Sequence, residues 1–138
     1  MHPISTLGFR EIAHTADWEL EVWAPDLCRL IEQAALGMYH LTGAMLSSEP
    51  RCSRLISLQN IDPETLLIDF LNELLYLAES EGLAFDHFDL QFDGALLKAQ
   101  VIGATIESMG KEIKAATYHN LRIIETDQGL SANIVFDV

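Results

Sequence analysis

The sequence predicts an α+β fold: a single compact domain, residues 1–138, in which antiparallel-rich β-sheets pack against two main helices. Three observations predict it. Two segments combine helical spacing of apolar residues with start and stop signals, whereas the other apolar segments are short and separated by turns. The segment WELEVWA, residues 18–24, alternates strictly, as half-buried strands do. Finally, 138 residues of which 49% are hydrophobic suffice for one substantial core, and no linker or repeat divides the chain.

The first predicted helix follows the alternating segment. It begins at Pro25-Asp26, runs to about Thr42 and is closed by Gly43. Its apolar residues recur with helical spacing, which predicts one buried face. These residues are Leu27, Leu30, Ile31, Ala34, Ala35, Met38 and Leu41.

The second predicted helix begins at Asp62-Pro63, where an N-cap acid precedes a proline at the first helical position, and it ends at Gly82. Apolar residues cover most of its circumference. It is therefore expected to be central, packed on the sheet and on the first helix. The narrow polar strip that remains consists of Asp69, Asn72, Glu73, Tyr76 and Ser80.

Strands are predicted on both sides of the helices. In the second of them, Trp23 lies on the polar face, where it either contacts a partner or packs under a neighbouring element. Asp93-Gly94 predicts a tight hairpin, and the segments SMGK and TDQG mark two further turns. The predicted strands cover residues 8–12, 18–24, 51–60, 84–93, 96–106, 113–125 and 130–137.

Charge is the strongest compositional signal. Twenty-one acidic residues against eight Lys and Arg give a formal net charge of −13. Nine of the acids occur between Arg54 and Lys98, an interval without any Lys or Arg. Such a field repels a phosphate backbone, so little direct binding of RNA or DNA is expected. Cations and basic protein surfaces are the favoured partners, although many acidic surfaces only keep a protein in solution.

No apolar run approaches the ~20 residues that cross a bilayer, so no membrane contact is expected. The N-terminal segment MHPISTLGFR has neither a basic region nor an apolar one of the kind found in secretory signals. Cys28 and Cys52 show no metal-ligand spacing and no disulfide framework. They are expected to be reduced thiols in a cytoplasmic protein.

Two acidic positions stand out beside apolar strands. The segment AHTADW, residues 13–18, separates two predicted strands and contains Asp17, while VFDV ends the chain with Asp137 beside the terminal carboxylate of Val138. If the last strand ends beside the first turn, these groups form an all-oxygen site of the kind that Ca²⁺, Mg²⁺ and Mn²⁺ prefer. The sequence alone leaves open whether the two ends meet. A solvated surface acid is the simpler interpretation of each position.

Four motifs resemble the archease family in their order and approximate spacing: HTADWELEVWA, LNELLYLAESEGLAF, IKAATYHNLRI and the terminal VFDV. The resemblance covers nearly the whole chain and implies a compact α+β sandwich. It also implies a non-enzymatic cofactor of RtcB-type RNA ligases, the enzymes that join tRNA exon halves and other broken RNAs. Such a cofactor promotes guanylylation of the ligase's active-site histidine and supports multiple turnover in tRNA splicing and RNA repair.

The same resemblance implies a metal site near the chain end. The aspartate of HTAD matches Asp17 and the penultimate acid of the family matches Asp137, so these two and Val138 are the implied ligands of a divalent cation (Ca²⁺, Mg²⁺ or Mn²⁺). Ala13 stands where the family commonly has a second acid, and weaker metal affinity is therefore expected. The rim of the site would be formed by His14, Thr15, Lys114 and His119.

Two alternatives to a ligase activator stay open. A metal-dependent hydrolase could use the same carboxylates, but it is the weaker hypothesis because neither a full ligand set nor a convincing base is evident. A general chaperone-like interaction module would use the acidic surface without the metal. Turnover of phosphoesters by the purified protein favours the hydrolase, whereas full activity after removal of both carboxylates favours the interaction module.

Overall fold

The structure is a computed structural model and describes residues 6–13 and 17–138. This part of the chain forms two helices and nine strands. Their order is β1 (Gly8–Ile12), β2 (Trp18–Ala24), α1 (Leu27–Thr42), β3 (Met45–Leu46), β4 (Cys52–Gln59), α2 (Pro63–Glu81), β5 (Leu83–Asp93), β6 (Leu96–Ser108), β7 (Ala115–Thr117), β8 (Ile124–Thr126) and β9 (Gly129–Asp137).

Local signals determine where both helices begin and end. The Oδ1 atoms of Asp26 and Asp62 accept hydrogen bonds of 2.9 and 2.8 Å from the backbone N–H three residues later, as N-cap residues do. At the other ends, Gly43 and Gly82 adopt the left-handed conformation with φ of 66° and 68°. The predicted boundaries of both helices are confirmed.

The strands form two antiparallel sheets. In the first sheet the order is β1-β2-β9-β7, and β8 also pairs with β9. In the second sheet β6 is central and pairs with β3, β4 and β5. The predicted α+β architecture of two helices with antiparallel sheets is confirmed.

Both helices lie against strands of both sheets. The helix α1 contacts β1 and β2 of the first sheet and β5 of the second, while α2 contacts β7 of the first sheet and β4 and β5 of the second. This position explains why α2 is apolar around most of its circumference. Its largest side chains, including Phe70, Leu71 and Leu74, are completely buried in the core shared by the helices and the sheets. Neither helix of the described part of the chain could span a membrane.

The prediction of one strand over residues 113–125 is wrong. Two three-residue strands, β7 and β8, lie there instead and are separated by a turn in which the Leu121 N–H donates to the Tyr118 carbonyl at 3.0 Å. Asn120 has φ of 53°, a conformation that asparagine tolerates better than most residues. This turn interrupts the pairing with β9.

Two smaller differences concern a turn and an aromatic ring. The hairpin between β5 and β6 turns at Gly94 and Ala95, one residue later than predicted, because Asp93 pairs with Leu96. Trp23 is only 4% exposed, and a Cβ placed on Gly8 would lie 2.9 Å from its ring. The ring is therefore packed over β1 and does not form an exposed partner contact.

Tyr39 on α1 carries a buried hydroxyl. Its Oη atom is shielded from solvent and makes no hydrogen bond of normal geometry with any described residue. Burial raises the pKa of Tyr39, and the nearby backbone of Phe85 only partly offsets this effect. Because the folded state holds this proton more tightly, the stability that the neutral group provides is present below the unfolded pKa of about 10 and is lost as the pH rises above it.

Tyr39→Phe is expected to keep or slightly raise the free energy of unfolding near neutral pH, by at most about 1 kcal/mol, because it removes an unpaired buried hydroxyl. Above about pH 10 the variant should lose less stability than the natural protein, since it has no Tyr39 proton to lose. Urea unfolding near pH 7 and pH 10.5 measures both effects. A large loss of stability near neutral pH would show that Oη has a stabilising partner.

Candidate cation site

The pairing of β2 with β9 brings the two predicted acids to the same end of the first sheet. Trp18 pairs with Phe136 in the antiparallel ladder. Asp17 directly precedes Trp18, and Asp137 directly follows Phe136. The two acids are therefore the next opposite positions at this end of the sheet, and both are exposed. Residues directly opposite on antiparallel strands have Cβ atoms about 4.5–5.5 Å apart. Asp17 and the chain end therefore adjoin, which the sequence had left open.

Strand alternation decides which way the acids face. In β2 and β9 the side chains of Leu20, Ile134 and Phe136 are completely buried against the helices. Successive side chains of a strand point to opposite faces. Asp137 follows Phe136 and consequently belongs to the outer face, where carboxylates stay hydrated and can meet an ion or a partner.

A small depression of about 200 Å³ adjoins this end of the sheet. Within it, the Asn133 Nδ2 atom donates to the Glu19 Oε2 atom at 3.0 Å, so the amide orients one carboxylate of the depression. Sequence reasoning assigned no role to Glu19, Asn120 or Asn133, because their proximity depends on strand register. The depression is lined by Asp17, Glu19, His119, Asn120, Asn133 and Val135.

His119 reaches the depression through the turn after β7. The Thr117 Oγ1 atom donates to the Val135 carbonyl at 2.8 Å and accepts from the His119 N–H at 3.3 Å. The Asn120 Nδ2 atom lies 3.3 Å from His119 Nε2. The turn thus places His119 in the same depression as Asp17.

The other predicted rim and ligand residues take different positions. The Lys114 N–H donates to the Asp137 carbonyl at 2.8 Å, but this exposed residue lines a separate, larger groove. Val138 is half-buried and packs against the core, which anchors the terminal carboxylate beside Asp137. His14 and Thr15 lie outside the described residues, and the exposed Ala13 directly precedes that interval.

Asn72 on α2 positions β7, the short strand that pairs with the Asp137 end of β9. Its Oδ1 atom accepts from the Ala116 N–H at 2.8 Å, and its Nδ2 atom donates to the Ala116 carbonyl at 3.2 Å. The strand β7 pairs in turn with β9, with Ala115 opposite Asp137. Sequence analysis placed Asn72 only in a polar strip. An amide on a helix that is otherwise largely enclosed was the signal for such a role.

Asn72→Ala is expected to lower the free energy of unfolding by roughly 2–4 kcal/mol, because the N–H and C=O of Ala116 both lose their partner. Denaturant unfolding measures the loss. The matched control is Asn133→Ala, which removes an amide from an exposed side-chain pair and should change stability by less than about 0.5 kcal/mol. Equal effects of the two substitutions would contradict a structural role for Asn72.

The family model described as "Archease protein family (MTH1598/TM1083)" matches residues 9–138 of the chain. This protein belongs to the archease family. The resemblance stated from its four motifs is thereby confirmed.

Relatives and solved structures agree with this assignment. "Protein archease" of Thermococcus gammatolerans is 33% identical over 124 residues, which cover 84% of this chain and 87% of the relative. That of Archaeoglobus fulgidus is 32% identical over 141 residues and covers 96% and 100%. The crystal structure of a Thermotoga maritima archease, described as a possible chaperone, superimposes with a TM-score of 0.71 at 27% identity and covers 100% of both chains. The solution structure of Methanobacterium thermoautotrophicum protein 1598 gives 0.71 at 26% identity, covering 95% and 99%.

The donor set of this archease suits a hard cation. Asp17, Asp137 and the terminal carboxylate of Val138 offer only oxygen, which Ca²⁺, Mg²⁺ and Mn²⁺ favour. Within residues 6–13 and 17–138, no three His, Cys, Asp or Glu side chains cluster as a metal site. A cation between the two aspartates would thus need further oxygens from the terminal carboxylate, backbone carbonyls or water.

Structural zinc does not fit this archease. The two cysteines, Cys28 and Cys52, are free and lie at the starts of α1 and β4. Burial, and secondly the Asp26 carboxylate, raise the pKa of Cys28, which keeps this thiol protonated and a poor ligand. Neither cysteine therefore adds a thiolate beside Asp17 and Asp137, where the donors are carboxylate oxygens and the neighbouring imidazole of His119.

Few cations offset the acidic surface of this archease. Its eight Lys and Arg residues all lie in the described part of the chain, where five of them form ion pairs with neighbouring acids. Lys111 lies over the ring of Trp18, with Nζ 5.6 Å from the ring centroid. The surface consequently keeps an excess of negative charge. The five paired residues are Arg10, Arg29, Arg51, Arg54 and Lys98.

Proposed function

We propose that this archease is a non-enzymatic activator of an RtcB-type RNA ligase in tRNA splicing and RNA repair. It promotes guanylylation of the ligase's active-site histidine and thereby supports multiple turnover. The observation that carries the proposal is the strand register, which sets Asp17 and Asp137 side by side at the end of the chain. Two carboxylates in that arrangement repel each other unless a cation or a donor lies between them.

Asp17, Asp137 and the terminal carboxylate of Val138 are the groups that would hold a divalent cation, Ca²⁺, Mg²⁺ or Mn²⁺. When bound, the cation supplies positive charge at one end of an otherwise acidic surface. The residues of this chain orient the site: Lys114 and Asn72 fix the backbone around Asp137. His119 faces the depression beside Asp17, where it can donate to or accept from a partner group.

Charge determines which partner the surface selects. A net charge of −13 steers the protein toward the basic, RNA-binding face of a ligase and away from RNA itself. Docking there would favour the conformation of the ligase that accepts GTP, since a partner shifts an equilibrium only by its differential affinity for two states. The proposal places the protein in the cytoplasm, with both thiols reduced.

The direct test mixes this archease with an RtcB-type ligase from the same source, GTP and Mn²⁺, and follows covalent guanylylation over many turnovers. Substoichiometric archease should raise the number of turnovers per ligase. Asp89→Asn, which removes an exposed charge from the outer face of the second sheet, serves as the control and should stimulate equally. A ligase that turns over equally well without archease would contradict the proposal.

A chaperone-like interaction module is the second candidate. Several large apolar side chains are exposed, including Leu55 at 70% and Tyr76 at 61%, and such side chains favour protein contacts. The hydrolase hypothesis has less support, because no cluster of three ligating side chains occurs within the described residues. Release of phosphate from generic phosphoesters by the purified protein would nevertheless favour a hydrolase over both non-enzymatic functions.

A further inference from the structure

A second and larger concavity lies on the outer side of α2. It has a volume of about 690 Å³ and is bounded by α2, by the segment that follows β6 and by the end of α1. We call it the α2 groove. From α2 it takes side chains spaced as neighbours on one face of a helix. These are Asn72, Leu75, Tyr76 and Glu79, together with Ala78.

We infer that the α2 groove binds a short extended polypeptide segment of the partner ligase, one that carries an apolar side chain next to a Lys or Arg. This inference rests on the proposed function and names the contact through which the ligase docks. The helical wall from Asn72 to Glu79 is about 10 Å long at 1.5 Å per residue. About three residues of an extended chain, at 3.3 Å each, match that length.

The apolar part of the occupant follows from the walls of the groove. Tyr76 on the helical wall is 61% exposed, and Met109 on the opposite wall is 40% exposed. Leu75 and Ile106 are half-buried between the helix and the sheet and also line the groove. Tyrosine and methionine are enriched in protein interfaces, and methionine adapts to irregular apolar partners. An aliphatic side chain from the partner would be desolvated between these walls.

The hydrogen bonds of polar side chains in the groove do not favour a small polar ligand. Both polar atoms of the Asn72 amide are bonded to Ala116. The Thr42 Oγ1 atom donates to the Tyr39 carbonyl at 2.8 Å and accepts from the Ala44 N–H at 3.2 Å. Small-molecule sites rely on a few convergent polar groups to orient the ligand. Here Asn72 and Thr42 are already engaged, and Tyr39, which also lines the groove, contributes only one buried hydroxyl without a partner. One such hydroxyl is not a convergent set, so shape and apolar contact must provide most of the affinity.

The charged rim specifies the basic part of the occupant. Glu79 and Glu112 are exposed and, within the described ranges, neither forms an ion pair. Glu81, two residues after Glu79 at the end of α2, is by contrast paired with Arg54 at 2.5 Å. Among the described residues that line the groove, Lys114 is the only cation. A Lys or Arg of the partner would complete the missing pairs at the rim.

The groove is continuous with the candidate cation site through β7. Lys114 lines the groove, and its N–H donates to the Asp137 carbonyl at 2.8 Å. Asn72 lines the groove and also holds the backbone of Ala116. A segment bound in the groove therefore lies beside β7, the short strand that pairs with the end of β9 at Asp137. Docking at the groove would orient Asp137 and the C-terminal carboxylate toward the ligase.

The test measures binding and stimulation of the ligase separately. Two double variants, Tyr76→Ala/Met109→Ala and Glu79→Lys/Glu112→Lys, should each raise the Kd for the purified ligase at least roughly tenfold. At saturating concentration both should reach the maximal stimulation of the natural protein. Leu55→Ala, also at a highly exposed apolar position, and Asp89→Lys, at an exposed acid on the other sheet, are the matched controls and should bind normally. Circular dichroism confirms that each variant is folded.

A peptide titration distinguishes failure of this inference from failure of the proposed function. The probe is acetyl-Arg-Leu-Arg-amide, titrated into the labelled protein while its amide resonances are followed by NMR. Saturable shifts around Tyr76 and Met109, absent with acetyl-Glu-Leu-Glu-amide, are expected even if the ligase is neither bound nor stimulated. Normal ligase binding by both double variants, or no shifts with the basic peptide, would overturn the inference. So would a concentration-dependent dimer abolished by these substitutions, because a second copy would then occupy the groove.

Discussion

Asp137→Asn is expected to change stability to unfolding, relative to the natural protein, in opposite directions in the absence and in the presence of a divalent cation. In chelator, the natural protein holds two carboxylates at adjoining strand ends, and like charges opposite each other destabilise a strand pair by roughly 0.2–1 kcal/mol. The variant should therefore unfold at the same or a slightly higher denaturant concentration. With cation at about 100 times its Kd, the natural protein should gain about 2.7 kcal/mol, and the variant should gain almost none of it.

Unfolding curves in EDTA and in Ca²⁺, Mg²⁺ or Mn²⁺ measure both parts of this result. Asp89→Asn is the control, because it removes one negative charge from an exposed position on the other sheet. It should keep the full gain from the cation. If Asp137→Asn were stabilised by cations as much as the natural protein, the carboxylate would not be a ligand.

Gly103→Ala is expected to cause the largest loss of stability among single-methyl additions. A Cβ at Gly103 would lie 1.8 Å from the Ala84 carbonyl oxygen and 2.6 Å from the Phe85 Cα atom. Both atoms belong to the backbone of β5, which pairs with β6 at this point, so no side-chain rotation relieves the overlap. The free energy of unfolding should fall by about 3 kcal/mol or more, the upper range for overpacking.

Gly82→Ala separates this steric overlap from the ordinary cost of replacing glycine. Gly82 has φ of 68°, and nothing lies within 4 Å of a Cβ placed there. Its replacement should cost only about 1–2 kcal/mol, from the left-handed backbone conformation alone. Denaturant unfolding of both variants gives the comparison. A loss at Gly103 no larger than that at Gly82 would contradict the close approach of β5 and β6.

Features encoded by neighbouring residues could be predicted from the sequence. Asp26 and Asp62 determine the helix starts through their own side chains, and Gly43 and Gly82 end the helices through their backbone conformation. The division of residues 113–125 into two strands could not be predicted in this way. It depends on a turn that is held by the Thr117 hydroxyl against the Val135 carbonyl, a contact between distant residues.

The candidate site was predicted by residue type and by resemblance, but its assembly required the fold. Asp17 and Asp137 were identified as acids beside apolar strands, whereas their adjacency follows from the pairing of β2 with β9. Asn72 was missed because a helical amide shows its role only when the strand β7 lies beside it. The α2 groove was missed for a similar reason, since its walls come from three separate parts of the chain.

The most direct test of the central claim is multiple-turnover guanylylation of an RtcB-type ligase with Asp17→Asn and Asp137→Asn archease. Each substitution keeps the size of the side chain and removes its charge, and each protein is first checked for native unfolding behaviour. The natural protein should stimulate turnover, and both variants should lose that stimulation even at concentrations that saturate the ligase. Full stimulation by both folded variants would contradict the claim that the paired carboxylates carry the function.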